Sequence, residues 1–135
     1  MSEQHTGGCL CGAVRFRMSG APTSTNICTC TQCQRQTGAP LPSFATCDEG
    51  QLEVLAGAPR SYRSSPRAVR EFCEACGSCL FWREDGNREV DVFLGAFDEP
   101  GRLPPPEYAI WAAHRVPWLP EPSGIPSYAG RRQQG

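Results

Sequence analysis
The chain has 135 residues, a formal net charge of -1 and nine cysteines. That length predicts one domain around one small core, with much of the surface left wet. The near-neutral balance provides no basic field for nucleic acid, and no run approaches the roughly 20 apolar residues that span a bilayer. Met1 to Gly8 has neither a basic start nor an apolar stretch, so no ordinary signal peptide is expected, and a cytoplasmic protein is. An odd cysteine count without an export signal argues against a disulfide scaffold. Clustered reduced thiols at short spacing then read as metal ligands.

Period-two alternation dominates the chain. Val14, Phe16 and Met18 alternate with Arg15 and Arg17, which predicts a half-buried strand. One short helix is expected after Cys30, through Cys33 to Gln36. Further strands are predicted at Ser43 to Cys47, around Leu52 and Val54, and at Ser61 to Arg63, Val69 to Phe72 and Leu80 to Trp82. A last one covers Val90, Val92 and Leu94. Glu89 and Asp91 on that strand are assigned to its solvent face. Gly20-Ala21-Pro22, Asp48-Glu49-Gly50, Gly57-Ala58-Pro59 and Glu84 to Asn87 mark the turns between them. From Pro100 to Pro126 the proline-rich chain is expected to run as an extended strap, anchored by Trp111 and Trp118. The fold class is therefore mostly β. A single domain spans 1–128, and 129–135 is a flexible tail whose last six residues, Gly130 to Gly135, hold no apolar residue to tie it down.

The cysteines form a C-x-C pair (Cys9, Cys11), a C-x-C-x-x-C cluster (Cys28, Cys30, Cys33) and a C-x-x-C pair (Cys73, Cys76). Cys47 and Cys79 stand apart. Gly12 and Gly77 follow the two pairs and permit the tight turns that bring paired thiolates to one ion. One pair cannot complete a tetrahedral zinc site, but two can, joining the first strand to a late one. Such a site contributes roughly 10 to 16 kcal/mol to folding, which a small core needs. A thioredoxin-like role for the C-x-x-C is disfavoured because no βαβ pattern surrounds it. Three cysteines within six residues cap a zinc from one side and leave its fourth position to water, substrate or a distant residue. Cys47, Cys79, His5 and His114 are candidates to close that site. If it stays open, a soft thiol suits the vacancy, because zinc favours sulfur and stabilises thiolate.

Gly7 to Phe16, Cys28 to Gly38, Phe72 to Gly77, and Ile110-Trp111 through Pro117 to Pro120 together resemble the glutathione-dependent formaldehyde-activating enzyme family, which includes centromere protein V. The resemblance implies an Mss4-like, zinc-stabilised β-sheet fold with at most short helices. It implies two zinc ions per chain, a structural one on Cys9, Cys11, Cys73 and Cys76 and a second on Cys28, Cys30 and Cys33. It also implies a carbon–sulfur lyase-type activity that joins glutathione and formaldehyde, with the second zinc as catalytic centre. The chain departs from the family pattern in four places. Thr29 replaces a histidine, Gln34-Arg35-Gln36 replaces an Arg-Lys pair, Ala109 replaces another histidine, and Cys79 is an added cysteine. Arg35 remains as a candidate partner for a substrate carboxylate, because guanidinium matches carboxylate geometry. The alternatives to an enzyme are a non-catalytic zinc-stabilised binding module and a redox or metal-buffering protein.

Overall fold
A computed structural model of the protein describes residues 3–132. The alternating segments form strands: β1 (Gln4–Gly8), β2 (Arg15–Ser19), β3 (Ser24–Cys28), β4 (Ser43–Asp48), β5 (Leu52–Ala56), β6 (Arg60–Ser65), β7 (Ala68–Phe72), β8 (Cys79–Glu84), β9 (Glu89–Phe93) and β10 (Tyr108–Ile110). The one α-helix among the described residues, α1 (Thr31–Thr37), lies where the sequence placed a short helix. Its C-terminal Gly38 takes a left-handed conformation (φ 67°), and the Gly38 N–H donates to the Gln34 carbonyl. No helix among the described residues is long and apolar enough to cross a membrane.

Two sheets hold the molecule together. Strands β1, β2 and β5 make a three-stranded sheet, and the other seven make a sheet in the order β10-β3-β4-β9-β8-β7-β6. All pairings are antiparallel except β10 on β3. Phe16 and Met18 of β2, both fully buried, meet Phe81, Val92, Ala45 and Leu80 of the larger sheet. Phe16 lies edge-on to Phe81 and to Phe97, with ring centres 5.2 and 5.4 Å apart. Close approach of β1 requires glycine at position 7. A Cβ there would come within 2.5 Å of the Phe16 ring and 2.4 Å of the Ala96 carbonyl oxygen.

The opposite face of the larger sheet carries α1 and a polar row. Thr46, Asp91, Trp82, Arg70 and Tyr62 are successive register partners across β4, β9, β8, β7 and β6, so their side chains share one face. Asp91, expected in solvent, is instead partly buried and accepts a 2.5 Å hydrogen bond from the Thr46 hydroxyl. The covering of this face, which strand alternation alone does not report, explains the difference.

Tyr108 to Ile110 pairs with Asn26 to Cys28, which ties the strap to the sheet edge. Trp111 packs against the sheet, but Trp118 is 72% exposed and anchors nothing. At the tail, the Ala129 and Gly130 carbonyls accept hydrogen bonds from the Ala113 and Trp111 N–H groups, and Arg132 lies 4.2 Å over the Tyr108 ring. Residues 133–135 of the expected flexible tail lie outside the described residues.

Candidate metal centres
Two groups of thiols converge. Cys9, Cys11, Cys73 and Cys76 bring their sulfurs within 4.8 Å of one another, and Cys28, Cys30 and Cys33 do the same. The early C-x-C pair and the late C-x-x-C pair thus meet in space. In the first group Cys9 Sγ lies 3.7 Å from Cys11 Sγ, and Cys11 Sγ 3.8 Å from Cys73 Sγ. In the second, Cys33 Sγ lies 3.5 Å from Cys28 Sγ. A tetrahedron with zinc–sulfur bonds of about 2.3 Å has edges of about 3.8 Å. Both donor sets fit a soft, tetrahedral ion such as zinc, and all nine cysteines are free thiols.

The first group sits where the start of the chain meets the turn after β7. The Gly77 N–H donates to the Cys73 carbonyl at 2.7 Å, and Gly77 has a φ of 79° that disfavours other residues. The Val14 N–H donates to Cys9 Sγ at 3.2 Å. The Ser78 hydroxyl and the backbone N–H groups of Cys11 and Ser78 pull the Cys76 thiol down to about 5. Cys9 and Cys73 are buried, whereas Cys11 is exposed at the outer edge. Donors on sulfur lower the cost of holding several thiolates together.

The second group forms at the end of β3 and the start of α1. Cys30 is the N-cap of the helix, and its sulfur accepts the Cys33 N–H at 3.3 Å. Cys28 and Cys33 are buried against Phe44 and Phe93, while Cys30 is only partly covered. Hydrogen bonds from the Cys28 and Cys33 thiols, helped by the charge of Arg70, draw the Cys30 thiol well below its ordinary range. Cys28 shifts upward because Cys30 and Cys33 share its proton and burial adds to the effect.

None of the candidate closing residues joins this group. Cys47 lies in the core between the sheets, and His5 is on β1 beside Phe97. His114 is exposed: its N–H donates to the Trp111 carbonyl and its carbonyl accepts from Gln34 Nε2, and its ring does not reach the group's sulfurs. Cys79 packs nearby, yet its thiol points to the Gln36 carbonyl at 3.6 Å. Among the described residues, the second group therefore stands at three ligands.

The departures from the family pattern have structural employment. Thr29 is buried and its hydroxyl donates to the Trp111 carbonyl at 3.0 Å, clamping the strap beside the cluster. Trp111 packs against the cluster in a left-handed conformation (φ 55°), uncommon for a bulky residue. Gln34 Nε2 donates to the Thr29 and His114 carbonyls, at 2.8 and 2.9 Å. Ala109 is buried, with its N–H and carbonyl engaged by Pro126 and Tyr128. Arg35 lies exposed on α1, with no carboxylate partner among the described residues.

Two features had no local signal in the sequence. Arg70 is 4% exposed and donates to Cys33 Sγ at 3.5 Å and to Gln36 Oε1 at 2.7 Å. A cavity of about 650 Å³ is lined by Cys9 and Leu10 beside the first thiol group and by Leu41, Cys79 and Phe93. It is lined by none of Cys28, Cys30 and Cys33.

This geometry defines a β-sheet protein with a four-thiol and a three-thiol group, each of a kind that can hold a metal ion. The sequence pattern of the glutathione-dependent formaldehyde-activating enzyme family matches residues 4–114, and the chain belongs to that family. It is 28% identical over 122 residues to a protein of Halomonas elongata provisionally named a glutathione-dependent formaldehyde-activating enzyme; the match covers 84% of this chain and 78% of that one. In fold it is similar to a crystal structure of a Rhodobacter sphaeroides protein, with a TM-score of 0.57 and 22% identity. That similarity covers 90% of this chain and 98% of the other.

Proposed function
We propose that the chain holds two zinc ions and joins a glutathione-like thiol to a small aldehyde such as formaldehyde, as a carbon–sulfur lyase-type enzyme working in the adduct-forming direction. The observation that carries this reading is the three-thiol group with Cys30 at its accessible edge, in a chain of this family. Cys9, Cys11, Cys73 and Cys76 hold the structural ion, and Cys28, Cys30 and Cys33 hold the reactive one. When bound at the second group, zinc stabilises sulfur as thiolate or polarises an aldehyde oxygen. The protein side of the chemistry is placement. Buried Cys28 and Cys33 fix the base of the site, Cys30 faces the entering molecule, and the Thr29–Trp111 clamp forms one wall. Arg35 is assigned to a carboxylate of the thiol substrate. The reaction balances without a redox partner. A carbon–sulfur bond forms, the carbonyl π bond breaks, and the thiol proton ends on the oxygen.

A non-catalytic binding module is the second reading. It is favoured by one observation: the Thr29 hydroxyl is already committed to the Trp111 carbonyl, and no histidine ring joins the second group among the described residues. Calorimetric titration of the zinc-loaded protein with glutathione, followed by NMR measurement of formaldehyde–adduct exchange, separates the two. Binding with accelerated exchange, lost in Cys30→Ser, is the expected result. Binding without acceleration selects the module, and absence of binding removes glutathione as the thiol.

A further inference from the structure
Arg70 is a buried cation that touches no buried anion; Asp91 feels its charge only from a distance. Its guanidinium sits on β7 under α1 and makes no ion pair with a carboxylate among the described residues. Burying a charge without a partner is costly, and arginines this deep are normally matched by a carboxylate. The acids sharing its face are Glu84, diagonally across on β8 and paired with Arg131, and Asp91, two rungs away with Trp82 between them. Two strand spacings amount to about 10 Å, beyond contact. What the guanidinium does touch is Cys33 Sγ, and Gln36 on the same helix as Cys33. Its Nε is buried and has no acceptor.

We infer that Arg70 is the counter-charge of the second thiol group, a positioning residue that acts through Cys33 to set how tightly that group holds its metal. The inference rests on the reading of Cys28, Cys30 and Cys33 as a metal site. Three thiolates and a divalent ion carry one net negative charge, and a single guanidinium cancels it. The first group has no such need, because Cys11 is exposed to water and its sulfurs take backbone and Ser78 donors. The fork of Arg70 also fixes orientation. One arm holds the ligand and the other holds the helix that carries it, the arrangement by which outer groups orient metal ligands.

The test is zinc competition against a chromogenic chelator for wild type, Arg70→Met and Arg70→Lys, with binding to the two sites resolved. Met keeps the bulk and removes the charge. Outer-group substitutions typically cost about 10- to 100-fold in metal affinity. A loss of that size is expected at the second site in Arg70→Met, with the first site unchanged and substantial rescue in Arg70→Lys. An affinity within about twofold of wild type in a folded Arg70→Met protein would overturn the assignment, leaving Arg70 a packing residue. A second measurement needs no variant. In wild type labelled with 15N-arginine, the Arg70 side-chain resonances should move when the second zinc is added, and resonances that stay put would overturn the assignment equally. If wild type binds only one zinc, the metal-site reading falls and this inference with it. If wild type binds two and Arg70→Met holds both as tightly, only the role of Arg70 falls.

Discussion

Replacing Asp91 with Asn isolates the cost of carrying a carboxyl inside the larger sheet. Burial pushes the Asp91 carboxyl up to about 6 from an ordinary 3.8. The Thr46 hydrogen bond and the charge of Arg70 pull it down, and Glu89 and Glu84 push it further up. The folded state therefore grips this proton more tightly than the unfolded chain does. Its contribution to stability is complete below the unfolded value of 3.8 and is lost as pH rises through about 6. The shift of about 2 units, at about 1.36 kcal/mol each, sets an upper figure of about 3 kcal/mol at pH 7.5. Asn preserves the shape, and its Oδ1 can accept from the Thr46 hydroxyl as the carboxylate oxygen does at 2.5 Å. Urea denaturation of the zinc-loaded proteins should find Asp91→Asn about 1 to 3 kcal/mol more stable at pH 7.5, with the gap narrowing by about half at pH 5. A destabilised variant at pH 7.5, or a gap independent of pH, would refute the reasoning and make Asp91 a partnered charge.

Three further outcomes follow from the two thiol groups. Cys76→Ser should leave the protein unfolded or insoluble, because a structural zinc worth roughly 10 to 16 kcal/mol exceeds or equals most of a small domain's stability; a folded, fully zinc-loaded variant by circular dichroism and metal analysis would contradict this. Mild chelation should remove one zinc first while far-ultraviolet dichroism stays constant, since three ligands hold an ion less tightly than four; simultaneous loss of both with unfolding would count against two distinct sites. Cys79→Ser should keep two zinc ions per chain, because Cys79 lies outside the group formed by Cys28, Cys30 and Cys33; a drop to one would make Cys79 a ligand.

Much of the fold was legible because its signal is local. Val14, Phe16 and Met18 alternate, and β2 buries Phe16 and Met18. The helix after Cys30 and the strands from β4 to β9 likewise fall where alternation and turn residues put them. The strands that escaped notice, β1, β3 and β10, draw their order from distant partners. Ser24 to Cys28 is wholly buried yet begins with three polar residues, and Thr25 and Asn26 are satisfied by the Pro105 carbonyl and by Thr46. Gln4 to Gly8 has no apolar alternation and is held by β2 and by the fit of Gly7 under Phe16. Both thiol groups were legible because ligand spacing is itself a local signal, and the first also needs the long-range pairing that tetrahedral geometry demands. Arg70 was not, because a lone arginine on an alternating strand looks solvent-bound until the helix above it is in place. Gln34 and Gln36 read as lost basic residues, and their contacts with the strap and with Arg70 emerge only in three dimensions.

The central claim is that the second thiol group leaves one coordination position for an incoming thiol. It is tested most directly by placing cobalt in the weaker site, keeping zinc in the stronger one, and counting sulfur neighbours of the cobalt by X-ray absorption before and after glutathione is added. Three sulfurs that become four, with three unchanged when glycine replaces glutathione as the added solute, is the predicted result. Four sulfurs from the outset, or three that stay three at saturating thiol, would contradict it.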